Sequence, residues 1–291
     1  MSSSPEKTKI ASLIRLMDDR DESIRNSVKA QLVQIGEDSI PFLEMAARDE
    51  DLRKRSQAQI VLKEIFPIQL ASKFRRLSQK FGADLDLEEG ICLLTQFGYP
   101  EFESENAKSV LDNLADELAP RLLSHFKPIE TVRELNKFLF QEKGFSGNEK
   151  NYFSGDNSFL NKVLSNKTGI PISLSVLCIL IGKRLNLPIV GVGMPCHFIA
   201  KYDVLSGPVY FDPFNKGKIL SYRQCVELVE GFGLKFEDHF LTQSGNREIL
   251  IRMINNLIMV YKQNNKDKQM DQLTEYVEIL SKPNDNASSY R

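Results

Sequence analysis

His197 and Asp212 are the two side chains whose types and spacing offer chemistry most directly. They stand in Met194-Pro-Cys-His-Phe198 and Tyr210-Phe-Asp-Pro213, with a turn signal at Ser206-Gly207 between them. The flanking residues alternate like strands, Cys196 to Tyr202 and Pro208 to Phe211, after a first strand over Ile189 to Gly193. A separation of 15 residues fits two adjacent antiparallel strands, on which an imidazole and a carboxylate meet. Such a pair can orient a histidine for proton transfer, or it can be a structural hydrogen bond and nothing more.

The remaining reactive side chains point elsewhere. Cys92, Cys178, Cys196 and Cys225 show no CxxC pairing and no zinc-ligand spacing with His125, His197 and His239. No metal and no cofactor is therefore expected, and the thiols read as reduced. Cys178 recurs with Leu174, Ile181 and Leu185 at helical spacing, which predicts core packing. Cys196 directly precedes His197, and strand neighbours face opposite sides, so it is expected as a small apolar strand residue. His125 and His239 lack partner clusters and are expected as ordinary surface or satisfied histidines; Phe232, Phe236 and Phe240, at helical spacing, are expected in a core.

The elements that must position the pair are mostly helical. Residues 1–66 contain an internal repeat: Arg20-Asp-Glu-Ser-Ile-Arg25 recurs 28 positions later as Arg48-Asp-Glu-Asp-Leu-Arg53, and Ala30-Gln-Leu-Val33 recurs as Ala58-Gln-Ile-Val61. An acidic turn before an amphipathic helix, repeated, predicts stacked helix units resembling HEAT repeats, serving as a cap or as a partner-binding surface. Residues 67–143 keep a helical period, punctuated by turns at Phe81-Gly82, Gly98-Tyr-Pro100 and Lys127-Pro128. A polar, aromatic loop over Gly144–Asn157 leads into helices at Ser158–Asn166 and Pro171–Leu185, and helices close the chain at Tyr222–Glu230, Glu248–Gln263 and Met270–Ser281.

Composition narrows the function classes. The chain has 291 residues, 42% hydrophobic and 26% charged, with 38 basic against 39 acidic side chains. That balance argues against nucleic acid, which asks for a concentrated positive face. The opening Met-Ser-Ser-Ser-Pro-Glu-Lys lacks the apolar stretch of a secretory signal, and the most apolar run, Ile170 to Gly182, is too short to span a bilayer. A cytoplasmic protein with no membrane contact is expected, its partner a protein or peptide.

Four motifs in series carry a family resemblance: Gly144-Phe-Ser-Gly-Asn148, Asn157-Ser-Phe-Leu160, Gly169-Ile-Pro-Ile-Ser-Leu-Ser175 and Gly191-Val-Gly-Met-Pro195-Cys-His-Phe198. Together with Asp84-Leu-Asp-Leu-Glu-Glu89 and Gly98-Tyr-Pro100 they resemble the SirB family, over about residues 68–285. The resemblance implies a transglutaminase-like, papain-like domain followed by helices similar to tetratricopeptide repeats. The expected architecture is α+β, mostly helical, with a small antiparallel sheet flanked by helical repeat segments. Its divisions are residues 1–66 (repeats), 67–143 (lead-in), 144–243 (core) and 244–291 (helix pair).

Enzymes of this kind resemble one another in a cysteine that opens a buried helix, a histidine on a following strand and an aspartate on the next. The resemblance maps the histidine to His197 and the aspartate to Asp212. Aligned without gaps on Gly169-Ile-Pro171, the cysteine position holds Pro171, which suits the first turn of a helix and cannot act as a nucleophile. The first expectation is therefore a non-catalytic transglutaminase-like protein, an interaction module that keeps a relic of the site. The alternative is a hydrolase or acyl transferase using Ser173, His197 and Asp212. Against it, serine early in a helix ordinarily caps the backbone, and Ser175 shares that reading. A third reading is a scaffold in which the repeats bind. Asn148, Tyr152 and Asn157 are candidate binding residues that resemble the family's loop, and the two asparagines also suit turn stabilisation.

Overall fold

The computed structural model describes residues 5–79, 84–122 and 127–282. The chain divides into two compact units, Met1–Arg76 and Leu77–Arg291. His125, the Phe81-Gly82 turn and Pro283 lie outside the described residues.

The first unit contains α1 (Pro5–Leu16), α2 (Glu22–Ile35), a 3-10 turn at Gly36–Ser39, α3 (Ile40–Ala46) and most of α4 (Leu52–Gln79). One capping device occurs twice in it. Asp21 accepts from Ser23 N at 2.8 Å and starts α2; Asp51 accepts from Arg53 N at 2.8 Å and starts α4. Asp19 and Asp49 in turn accept from the backbone of Asp21 and Asp51, while Arg25 and Arg55 donate to the carbonyls of Asp19 and Asp49. These equivalences run at an offset of 30, not the 28 at which the letters recur. The burial pattern agrees: Leu13 matches Leu43 and Val28 matches Ala58, all four in the core. By contrast, Ala30, which pairs with Ala58 at offset 28, is exposed. Two residues turn a helix by about 200°, so the textual match joins opposite faces. Pro67, where the lead-in division was expected to begin, lies inside α4.

The second unit begins with α5 (Leu87–Gly98), α6 (Ser104–Leu122) and α7 (Pro128–Asn136), extended by a π-helical segment at Lys137–Glu142. After it come β1 (Ser146–Gly147), a 3-10 turn at Gly155–Ser158, α8 (Leu160–Asn166) and β2 (Thr168–Gly169), and then the central helix α9 (Pro171–Arg184). Strands β3 (Ile189–Val192), β4 (Ile199–Tyr202), β5 (Val209–Asp212) and β6 (Lys218–Leu220) form an antiparallel sheet in that order. Helices α10 (Tyr222–Glu230), α11 (Asn246–Gln263) and α12 (Asp267–Ser281) complete it. This is the expected α+β arrangement. Strand β6 and the parallel two-residue pair β1–β2 were not expected; both are too short for alternation to show.

Apolar side chains run all round α9, and nearly every residue from Pro171 to Gly182 is buried, so the helix lies inside the core. Its C-terminus is fixed by Arg184, whose Nη1 and Nη2 donate to Glu88 of α5 at 3.0 and 2.8 Å and whose Nε donates to Asp112 of α6. A cation in the last turn also opposes the helix dipole. The lead-in motifs have structural reasons. Asp86 caps α5, and Asp84 caps α11 by accepting from the backbone of Asn246 and Arg247. A side chain at Gly98 would collide with the Phe159 ring, with Cβ 2.5 Å from its nearest atom; the neighbouring Tyr99 packs edge-on against that ring and donates to Asp156 at 2.6 Å. Among the described residues, no helix is long and apolar enough to cross a membrane.

Removing the Arg184 side chain strands the half-buried Glu88 carboxylate. Arg184→Ala is expected to lower unfolding free energy by about 1–3 kcal/mol in urea titration, and pairing it with Glu88→Leu should recover part of the loss. A double variant no better than the single one would show that the ion pair does not carry this contact.

Candidate functional site

The pairing of Ala200 with Phe211 brings the end of β5 alongside the start of β4. Asp212 therefore lies at the sheet end where His197 sits, and His197 Nε2 is 2.7 Å from Asp212 Oδ2. The carboxylate is almost wholly enclosed, 1% exposed. Besides His197 it accepts from Asn215 Nδ2 at 2.7 Å and from the backbone N–H groups of Phe214 and Asn215 at 3.0 and 3.3 Å. Burial alone would raise its pKa, but the bonds from His197 and Asn215 outweigh it and hold the carboxyl below its ordinary value of 3.8. With Asp212 ionised, the proton of the pair belongs on Nε2, which leaves Nδ1 of a neutral imidazole as an acceptor. Nδ1 makes no hydrogen bond among the described residues, and the His197 side chain is 12% exposed.

His197 itself is not on a strand. β4 begins at Ile199, and Met194 to His197 form a turn closed by His197 N donating to Met194 O. Pro195 presets the turn, and Cys196 takes a left-handed φ of +60° at the position that favours glycine. Cys196 is accordingly exposed, which corrects the expectation of a small apolar strand residue. The alternation read through Cys196 was real in the letters, but the Pro-Cys turn interrupts the ladder. A left-handed non-glycine residue costs about 1–2 kcal/mol, so the turn needs support from outside. Arg252 of α11 supplies it, with Nη2 donating to the carbonyls of Met194 and His197 at 2.7 Å each while the guanidinium lies over the Phe198 ring.

At the N-terminus of α9, Pro171 occupies the first position. Ser173 Oγ accepts from Ile170 N at 3.0 Å and donates to Ile170 O at 3.1 Å. Both bonds stay within the cap, so the hydroxyl is not joined to His197. Ser175 is fully buried, and its hydroxyl has no partner among the described residues. Burial pushes the thiols of Cys92 and Cys225 up to about 12 and about 11, and raises Cys178 as well, so none is a ready nucleophile. Among the described residues, no group of three or more His, Cys, Asp or Glu is placed to hold a metal ion. His239 is exposed, 3.2 Å from Glu237. Phe236 and Phe240 are partly buried against a small cluster, whereas Phe232 is exposed and not in the core.

The polar loop divides in two. Asn148 Nδ2 donates to Asn157 Oδ1 at 2.8 Å, and the buried Asn157 donates to the carbonyls of Asn151 and Tyr152, so these asparagines brace the loop internally. Tyr152 is exposed and packs edge-on against Phe153 and Phe214, and Phe214 in turn meets the His197 ring. β1 passes so close beneath Phe214 that a Cβ at Gly147 would lie 2.6 Å from its ring. Phe214, Asn215 and Arg252 were not anticipated. The run Asp212-Pro-Phe-Asn215 is a turn signal that hinted at Asn215; nothing local marks Arg252, which reaches the site from 55 residues away.

A family model described as the transglutaminase-like superfamily matches residues 105–255. A protein designated UPF0162 from Xylella fastidiosa (strain 9a5c) is 33% identical over 192 residues, 62% of this chain and 67% of that protein. Protein SirB1 from Salmonella typhimurium is 29% identical over 167 residues, 56% of this chain and 58% of its own length. F-box only protein 21 from Homo sapiens is 28% identical over 159 residues, 52% of this chain and 25% of its own length. No solved structure matches significantly.

Because the Asp212 carboxyl titrates below its unfolded value, it adds stability that is present above the unfolded pKa and lost as pH falls through the folded one. Asp212→Asn should destabilise the protein at neutral pH and flatten the acid limb of stability below the ordinary carboxyl value of 3.8. Coincident limbs in pH-dependent urea denaturation would contradict this assignment.

Proposed function

We propose, since the chain belongs to the transglutaminase-like superfamily and within it to the SirB family, that it acts without covalent catalysis and binds protein or peptide at the surface around His197 and Asp212. What carries the reading is the start of α9, where the family's enzyme pattern asks for a thiol: Pro171 stands there, and the nearest hydroxyl, Ser173, is bound to the backbone of Ile170. A retained imidazole–carboxylate pair without a nucleophile can still accept a hydrogen bond from a bound chain at His197 Nδ1. The exposed Tyr152 and Phe153 beside Phe214 suit such a ligand, since aromatic rings give contact area at small entropic cost. A Ser173 enzyme would require that side chain to leave its cap and turn toward Nδ1.

The position can be tested by restoring the missing group. In a Cys196→Ser background, the thiol introduced by Pro171→Cys should be alkylated by iodoacetamide at neutral pH faster than free cysteine, and His197→Ala should slow that reaction about tenfold. An unactivated thiol would remove the basis for placing the nucleophile there. The unsubstituted protein should show no ester or amide hydrolysis that depends on His197; such turnover would refute a non-catalytic role.

A second reading, in which the helical repeat binds a partner, is favoured by a cavity of about 530 Å³ in the first unit, lined by Arg20, Arg25, Arg53 and Gln57 among others. Arg20→Ala with Arg53→Ala should then reduce partner capture severalfold while leaving the fold intact by circular dichroism; unchanged capture would dismiss it.

A further inference from the structure

The cavity in the first unit gathers charges that do not pair with one another. It lies between the turn joining α1 to α2 and the first turns of α4, so both copies of the capping device contribute to it. Its volume of about 530 Å³ falls within the range of about 300–1,000 Å³ usual for ligand sites. Arg25 is held there by backbone. Its Nη1 donates to the carbonyls of Asp19 and Arg20 at 2.8 and 3.0 Å, which fixes the cation without neutralising it. Arg20 and Arg53 line the same cavity, and their side chains make no hydrogen bond and no ion pair among the described residues. Asp18 and Asp19 line it too, yet neither carboxylate is in an ion pair there. Like charges gathered round one cavity repel, and a bound anion relieves them.

The second copy of the device closes on itself. At the offset of 30, Asp49 stands for Asp19, and Lys54 Nζ pairs with it at 2.6 Å. Ile24 takes the place of Lys54 in the first copy, so that ion pair has no counterpart. Arg20 and Arg53 have no repeat mates, since Glu50 and Ser23 hold the equivalent positions. The arginine set therefore exists only where the first copy meets the second, as in surfaces built by stacked repeats. Asp21 and Asp51, close by in sequence, are engaged in capping their helices and do not line the cavity. Its lining carries three cations against two anions.

We propose that this cavity binds a peptide through a single carboxylate side chain; this rests on the second reading above and names its ligand. An excess of one positive charge balances one carboxylate, whereas a phosphate, at about −1.5 to −2 near neutral pH, would leave the site negative. The planar fork of arginine also matches a carboxylate in two parallel hydrogen bonds. Leu52, which lines the cavity and is 69% exposed, offers contact to an apolar neighbour of the acidic residue. Ser56 and Gln57 offer hydrogen bonds to the peptide backbone.

The full chain, labelled with nitrogen-15, is titrated with N-acetyl-leucyl-glutamyl-leucinamide, its glutaminyl analogue and its phosphoseryl analogue. The glutamyl peptide should bind at least about fivefold more tightly than the glutaminyl one and shift the Nε–H signals of Arg20, Arg25 and Arg53. Arg20→Gln with Arg53→Gln breaks no bond of the fold and should erase that preference. Leu52→Ser should weaken both peptides about threefold by removing the apolar contact. A preference that survives the double substitution places the carboxylate elsewhere and overturns the proposal. Equal binding of the glutamyl and glutaminyl peptides, both sensitive to Leu52→Ser, overturns the carboxylate anchor and leaves the repeat a peptide-binding surface. Binding of neither overturns the anchor and that reading together. A phosphoseryl peptide held more tightly than the glutamyl one overturns the choice of a singly charged ligand.

Discussion

A carboxylate shut away from water has to be met by donors, and the site is arranged around that need at Asp212. Its partners are His197 Nε2, Asn215 Nδ2 and two backbone N–H groups of the turn that follows β5. Meeting the charge this way fixes the imidazole tautomer, the end of β5 and the direction of the following turn together. That turn brings Phe214 against the His197 ring and Gly147 against Phe214. The buried charge thus organises the surface beside it.

Support for the imidazole comes from two directions in sequence. The loop before it rests on asparagine bonds and on the parallel pair β1–β2, which ties residues 146–147 to the approach to α9. From the C-terminal side, α11 is capped by Asp84 and sends Arg252 to the turn. Helix α11 is therefore part of the site's framework, whatever else it contacts.

Much of this was legible in the letters where the chemistry is local. Apolar character round the whole of α9, the cap at its start, and alternation on either side of Ser206-Gly207 gave the helix, the strands and the His–Asp pairing. Reading failed where one residue carries backbone information of its own. Cys196 looks apolar and strand-like, yet its left-handed φ ends the alternation. The repeat was visible, but its period was read from matching letters, whereas the caps at Asp21 and Asp51 set the spacing. Arg252 was hidden because a clamp formed across 55 residues leaves no pattern in any window of sequence.

That last separation has a consequence for the order in which the molecule comes together. Strands β4 and β5 are close in sequence and can pair early, which brings His197 and Asp212 near one another. The turn bearing His197 stays unsupported until α11 docks, and α11 docks on Asp84, 162 residues before Asn246. Closing so long a loop is entropically slow to achieve. During synthesis, a ribosome that has released His197 must still deliver the segment from Asn246 onward before the imidazole is set, so the site is completed only once α11 has emerged.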